Sequence, residues 1–178
     1  LSLPWGRFLR PERSFEVRAS CRRSRLVHSD RVAETVTAAI ERTLGPPVSD
    51  QEEGEKALVL VRLEDDNCFL SVDSSGALLH RRGYRQEAVA APLRETLAAG
   101  ILQILGWDGS ESLVDAMTGS GTFAIEAALI ALRRAPGAER RFAFMDWPKY
   151  RPGLWNQLLQ QARQAEKTVL AAPILAID

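Results

Sequence analysis

The segment Leu113-Val114-Asp115-Ala116-Met117-Thr118-Gly119-Ser120-Gly121-Thr122-Phe123 constrains the fold more than any other part of this 178-residue chain. A short apolar run enters a Gly-x-Gly turn, and an apolar stretch with helical character follows at once. This is the strand-turn-helix order of a doubly wound α/β layer. Glycines in such a turn accept left-handed backbone angles and let a ligand reach the main chain with no Cβ in the way. The first amides of the following helix have no partner within it and suit carboxylate or hydroxyl groups. The turn has no Gly-Lys-Ser/Thr, so it is not a phosphate-gripping P-loop. It also lacks the third glycine of the dinucleotide fingerprint, which disfavours a nicotinamide enzyme. A tight turn that binds nothing has the same spacing.

A second acid bears on that choice. Asp178 follows an apolar strand expected over 174–177, and in doubly wound sheets an acid at the end of the second strand accepts hydrogen bonds from ribose hydroxyls. The spacing exceeds the usual separation of about 20 residues. An insertion at 133–151 is therefore expected, with Phe142, Phe144, Trp147 and Tyr150 packing beneath a long loop.

Upstream, Phe15, Val17 and Ala19 alternate with polar residues as in a half-buried strand. A helix is expected over 31–44, capped by Ser29 or Asp30, with Val32, Val36, Ala39, Ile40 and Leu44 on one face. Strands at 57–63 and 68–73 flank the turn-forming Glu64-Asp65-Asp66-Asn67. Pro92 suits the first position of a helix running through Gly106, whose core face would be Leu93, Leu97, Gly100, Ile101, Ile104 and Leu105. Further helices are expected at 122–132 and 152–167, and a buried strand closes the chain at 168–177.

The formal charge sums to zero, but it is unevenly spread. Arginines gather at Arg22, Arg23 and Arg25 and again at Arg81, Arg82 and Arg85, while acids concentrate at 50–55 and 64–66. Local basic surfaces that contact phosphates are compatible with that pattern, as are solvated faces. Cys21 and Cys68 have no C-x-x-C partner, so neither a disulfide framework nor a metal site is expected. The absence of a long apolar run or a signal-peptide pattern at the N-terminus makes the cytoplasm the expected compartment.

The turn at 115–123, followed by Ile125-Glu126-Ala127-Ala128, resembles the Asp-Pro-Met-Cys-Gly-Ser-Gly-Thr turn of THUMP-domain RNA guanine methyltransferases, a family that includes bacterial large-subunit ribosomal RNA enzymes. Leu79-His80-Arg81-Arg82-Gly83-Tyr84-Arg85 and Ala91-Pro92-Leu93-Arg94-Glu95-Thr96-Leu97 are similar to that family's linker and first catalytic-domain helix. The resemblance implies an α/β chain: the C-terminal part of a THUMP domain at 1–78, a linker at 79–90, and the first half of a Rossmann-like methyltransferase sheet at 91–178. It implies S-adenosylmethionine as cofactor, with Asp115, Met117, Thr118, Gly119, Ser120, Gly121 and Thr122 at its methionine end, Asp178 at its ribose and Pro92 beside it. The implied partner is RNA, expected to be ribosomal, approached by the six arginines named above. Tyr84 is expected to pack between domains or to stack on a base.

Two departures and one absence stand out. Ala116 and Thr118 replace the family's proline and cysteine, a tolerable change where the backbone does the binding. The family's Asn-Pro-Pro-Tyr segment, which positions the target amine, does not occur in these residues. No catalytic residue is therefore named, and the chain reads as a piece of an RNA methyltransferase, inactive by itself. The competing reading is a non-catalytic RNA-binding protein on the same scaffold.

Overall fold

The computed structural model describes residues 3–11, 13–46, 56–85 and 93–178. The chain divides into two compact units, Leu1–Ala77 with Arg141–Arg151, and Leu78–Arg140 with Pro152–Asp178.

In the first unit, β1 (Phe15–Arg22) leads through α1 (Ser29–Leu44) to β2 (Ala57–Glu64), which pairs parallel to β1, and β3 (Asn67–Val72) returns antiparallel. The sheet order is β1-β2-β3. Alternation along β1 and β2 sends Val17, Val59 and Val61 to the face covered by α1, and Ile40 of α1 is fully buried there with Trp5 and Leu9. The hairpin turns on Asp65 and Asp66, both at positive φ. That is the two-residue geometry that matches the twist of the flanking strands. Its carboxylates meet Arg23 and Arg25, and the Asp66 side chain also accepts the Arg25 N–H.

The helix α1 starts two residues earlier than expected. His28 occupies the cap position and no side chain caps it, so Ser29 and Asp30 lie inside the first turn rather than before it. Gly45 ends the helix at φ 87°. Residues 141–151, expected as part of an insertion in the second sheet, belong to the first unit. The cause is aromatic and ionic: Trp147 meets Phe8 edge to face, Phe144 packs on Tyr150, and Asp146 takes Arg13 and Arg141.

The second unit holds α2 (Glu95–Ile104), β4 (Leu113–Asp115), α3 (Thr122–Ala131), α4 (Pro152–Gln164) and β5 (Ile174–Ala176). The strands β4 and β5 pair in parallel, with Asp115 opposite Ala176. The helix α2 stops before Gly106, which adopts φ 72°. Its buried face is also not the expected one. Glu95, Ala98, Ala99 and Leu102 are covered, whereas Leu97 and Leu105 are exposed and Ile104 is 87% exposed. Both faces have helical spacing; small alanines let α2 approach α3 closely, and that packing outweighs the bulk of the leucines. The closing strand is shorter than expected, and its residues are half-buried or exposed rather than buried.

Candidate cofactor turn

The chain leaves β4 at Asp115 and reaches α3 seven residues later, and the backbone between them is set by two glycines. Gly119 sits at φ 47° and Gly121, the residue before the helix, at φ 74°. Left-handed angles of this kind cost most residues roughly 1–2 kcal/mol and glycine almost nothing. The Gly121 N–H closes the turn on the Thr118 carbonyl (2.7 Å), and the Thr118 N–H reaches the Ile177 carbonyl (3.0 Å). A Cβ built on Gly119 meets nothing within 4 Å. The turn is thus open above its backbone.

Asp178, 59 residues further along the chain, accepts the Gly119 N–H at 3.3 Å. The acid after β5 and the glycine turn after β4 therefore meet because the strands are parallel neighbours. Asp115 accepts the Met117 N–H through Oδ1 (3.3 Å), while its Oδ2 is buried and unpartnered. The Thr118 hydroxyl is likewise buried without a partner among the described residues. Two orphaned polar oxygens beside an open turn are unusual, because buried polar groups are nearly always satisfied. Thr122 begins α3 buried, with its hydroxyl 3.2 Å from that of Ser120, and no side chain caps the helix. The first-turn amides of α3 are accordingly available to a ligand. Met117 is 90% exposed. Of the expected cofactor residues, Asp115, Thr118, Gly119, Ser120, Gly121, Thr122 and Asp178 come together; Pro92 lies outside the described residues.

The arginines behave differently from one another. Arg22 and Arg23 pair with Glu64 and Asp65, and Arg25 with Asp66, all on exposed surface, so their charge is locally balanced. Arg82 lies inward with its side chain 12% exposed and forks onto Glu126, which is 1% exposed. Arg85 pairs with buried Glu95 (3.4 Å) and donates to the Leu93 carbonyl and the Thr122 hydroxyl, both at 3.1 Å. Arg82 and Arg85 are thus engaged inside the unit, as buried charges require, rather than displayed to a phosphate backbone. Arg81 alone of its group is exposed and has no ion pair among the described residues.

Tyr84 donates to Glu126 at 3.0 Å. Burial, and after it the charge of Glu126, push its phenol well above the ordinary tyrosine value. The buried acids Glu95 and Glu126 were not singled out from sequence. Their signal was present, since each is the one charged residue of a helix made mostly of apolar residues. Among the described residues no cluster could hold a metal ion, and no helix is long and apolar enough to cross a membrane.

Over residues 82–178 the sequence matches the RMKL-like methyltransferase domain, and over 1–73 it matches the THUMP domain. A Synechocystis protein whose name places it among RNA methyltransferases is 36% identical, over 99% of this chain and 47% of its own length. The ribosomal RNA large subunit methyltransferase K/L of Syntrophotalea carbinolica is 41% identical, over 95% of this chain and 25% of its own. The fold superposes with a TM-score of 0.86 on a protein described as a methyltransferase and crystallised with SAH, at 30% identity, covering 99% of this chain and 48% of that one. A Listeria monocytogenes structure described as a predicted N6-adenine-specific DNA methylase gives 0.85 at 31% identity, with 99% and 48% covered. The chain spans about half the length of the first of these relatives and a quarter of the second. Its THUMP and methyltransferase portions, in that order, place this chain in the family of THUMP-containing RMKL-like methyltransferases.

Proposed function

We propose that this chain supplies the S-adenosylmethionine-binding half of an RNA methyltransferase, with an RNA-binding module ahead of it. The observation that carries the reading is the meeting of Asp178 with the Gly119 amide, which brings the acid after the second strand to the turn after the first. The methionine carboxylate of the cofactor suits the uncapped start of α3 and the open backbone of Gly119, Ser120 and Gly121. Its ammonium suits Asp115, whose Oδ2 lacks a partner, with the Thr118 hydroxyl beside it. Asp178 retains acceptor capacity for the ribose hydroxyls. Met117 and Thr122 flank the same turn.

The cofactor supplies an electrophilic methyl group on a sulfonium, and the protein's part is to hold donor and acceptor in line and keep water away. We assign the acceptor as RNA on the name of the ribosomal relative and the THUMP match, and as the exocyclic amine of a guanine on the resemblance of the turn at 115–123 to that of the guanine methyltransferases. The DNA adenine named for the Listeria structure fits a THUMP module less well. The isolated 178 residues are proposed to bind cofactor without transferring methyl, because no Asn-Pro-Pro-Tyr segment occurs in them.

Calorimetric titration with S-adenosylmethionine tests the reading, run beside Gly119→Arg. Saturable binding that the substitution abolishes, with unchanged circular dichroism, is the expected result. A folded wild-type chain that takes up no cofactor overturns it.

A further inference from the structure

A cavity of about 470 Å³ in the second unit is lined by His80, Arg81, Arg82, Arg85, Arg94 and Glu95 among others. Four arginines around one opening repel one another unless their charge is met. Two of them are met from behind: Arg82 by Glu126, and Arg85 by Glu95. Both acids are buried, at 1% and 5% exposure, so these two arginines are fixed in place as walls. The other two, Arg81 and Arg94, are exposed and have no ion pair among the described residues. Gly83, at φ 95°, turns the chain between Arg82 and Arg85 with open space where a Cβ would stand. The opening is therefore rigid at its base and positively charged at its rim.

We infer that this cavity is a phosphate site, which holds a backbone phosphodiester of the RNA between Arg81 and Arg94. The chemistry is that of guanidinium groups, without an ion pair among the described residues, facing an anion. The position gives it a purpose. Arg85 also donates to the Thr122 hydroxyl, on the first residue of the helix that follows the glycine turn. A phosphate held here is registered against the cofactor turn through a single side chain, and such contacts fix the position of a nucleic acid without reading its sequence. The inference rests on the RNA half of the proposed function and is independent of the cofactor half.

The test is binding of a labelled single-stranded RNA to the 178-residue chain across a salt series, for the wild type, Arg81→Ala/Arg94→Ala and Arg81→Lys/Arg94→Lys. Loss of two phosphate contacts lowers the slope of log K against log salt by about 1.4, equivalent to about 25-fold weaker binding at 0.1 M salt when the curves converge near 1 M. The lysine pair restores the slope, and S-adenosylmethionine affinity stays the same in all three proteins. An unchanged slope in the alanine pair, or no RNA binding by the wild type, overturns the site while leaving the cofactor reading standing. Saturable binding of inorganic phosphate alone, lost in the alanine pair with RNA binding unaffected, overturns it in favour of a free anion.

Discussion

Arg82 holds Glu126 with two parallel contacts, Nε to Oε1 and Nη2 to Oε2, each 3.1 Å long, and Tyr84 adds a third to Oε1. The carboxylate sits in the middle of α3, on the buried face it shares with Thr122, Ala127 and Ala131. A bidentate fork in a low-dielectric setting is the arrangement in which removing one partner costs most, because the other charge stays buried alone. Glu126→Leu alone should destabilise the second unit by about 3–5 kcal/mol. Arg82→Met with Glu126→Leu should cost far less, since neither charge is then left behind. Urea denaturation of the two variants decides it, and equal losses would show that the pair matters for packing rather than for charge.

The same carboxylate sets an alkaline limit. The Tyr84 phenol is held above its usual value, first by burial and then by Glu126. Near pH 10, the ordinary tyrosine value, the unfolded chain begins to release this proton while the folded chain keeps it. The folded state then binds more protons than the unfolded one. Stability from this group is therefore complete below about pH 10 and is lost as pH rises from there towards the folded value. Tyr84→Phe should lose one hydrogen bond at neutral pH, about 1 kcal/mol, and show a shallower alkaline decline. Melting temperatures between pH 8 and pH 11, on the order of one point per half unit, check the slope; parallel curves for wild type and variant would contradict it.

Gly109 makes a different kind of contact. A Cβ at this position would stand 2.5 Å from the Ala131 Cβ and 2.8 Å from its Cα, at the end of α3, and the backbone is at φ 87°. Neither clash partner is the loose end of a long side chain, so the loop or the helix must move. Gly109→Ala should destabilise by about 2–5 kcal/mol, from backbone strain and overpacking together. The shift in urea midpoint measures it, and an unchanged midpoint would show that residues 107–111 reposition freely.

Local chemistry was legible in the sequence and distant packing was not. The glycine turn could be read because its strand, its two positive-φ residues and its helix are contiguous, and the hairpin at Asp65 and Asp66 for the same reason. The buried face of α2 could not be read from hydrophobic periodicity, because both candidate faces repeat at helical spacing. What distinguishes them is that Ala98 and Ala99 permit close approach to a neighbouring helix, a property of the pair rather than of either sequence. Residues 141–151 joined the first unit through Trp147 on Phe8 and Asp146 on Arg13, partners more than 130 residues away along the chain. The arginine cluster at 81–85 was visible as charge, but the inward course of Arg82 and Arg85 depends on acids at 95 and 126 that only the fold brings near.

Asp178 offers the sharpest division between a ligand-binding acid and a structural one, since its Oδ1 already accepts the Gly119 N–H. If its second role is to hold ribose hydroxyls, Asp178→Ala should weaken S-adenosylmethionine by about 10- to 100-fold, the worth of a hydrogen bond to a charged group at roughly 1.5–3 kcal/mol. It should weaken 5′-methylthioadenosine by the same factor, because that compound keeps the ribose and lacks the amino-acid end. Asp178→Asn keeps an acceptor for the Gly119 amide and should fall between the wild type and the alanine variant. Should Asp178 only brace the turn, the loss would instead follow the methionine end: S-adenosylmethionine would weaken and 5′-methylthioadenosine would not. Parallel titrations of the two ligands separate these outcomes, because both carry the same ribose, while 5′-methylthioadenosine lacks the amino-acid end that faces Gly119, Ser120 and the start of α3 and, with it, the sulfonium charge.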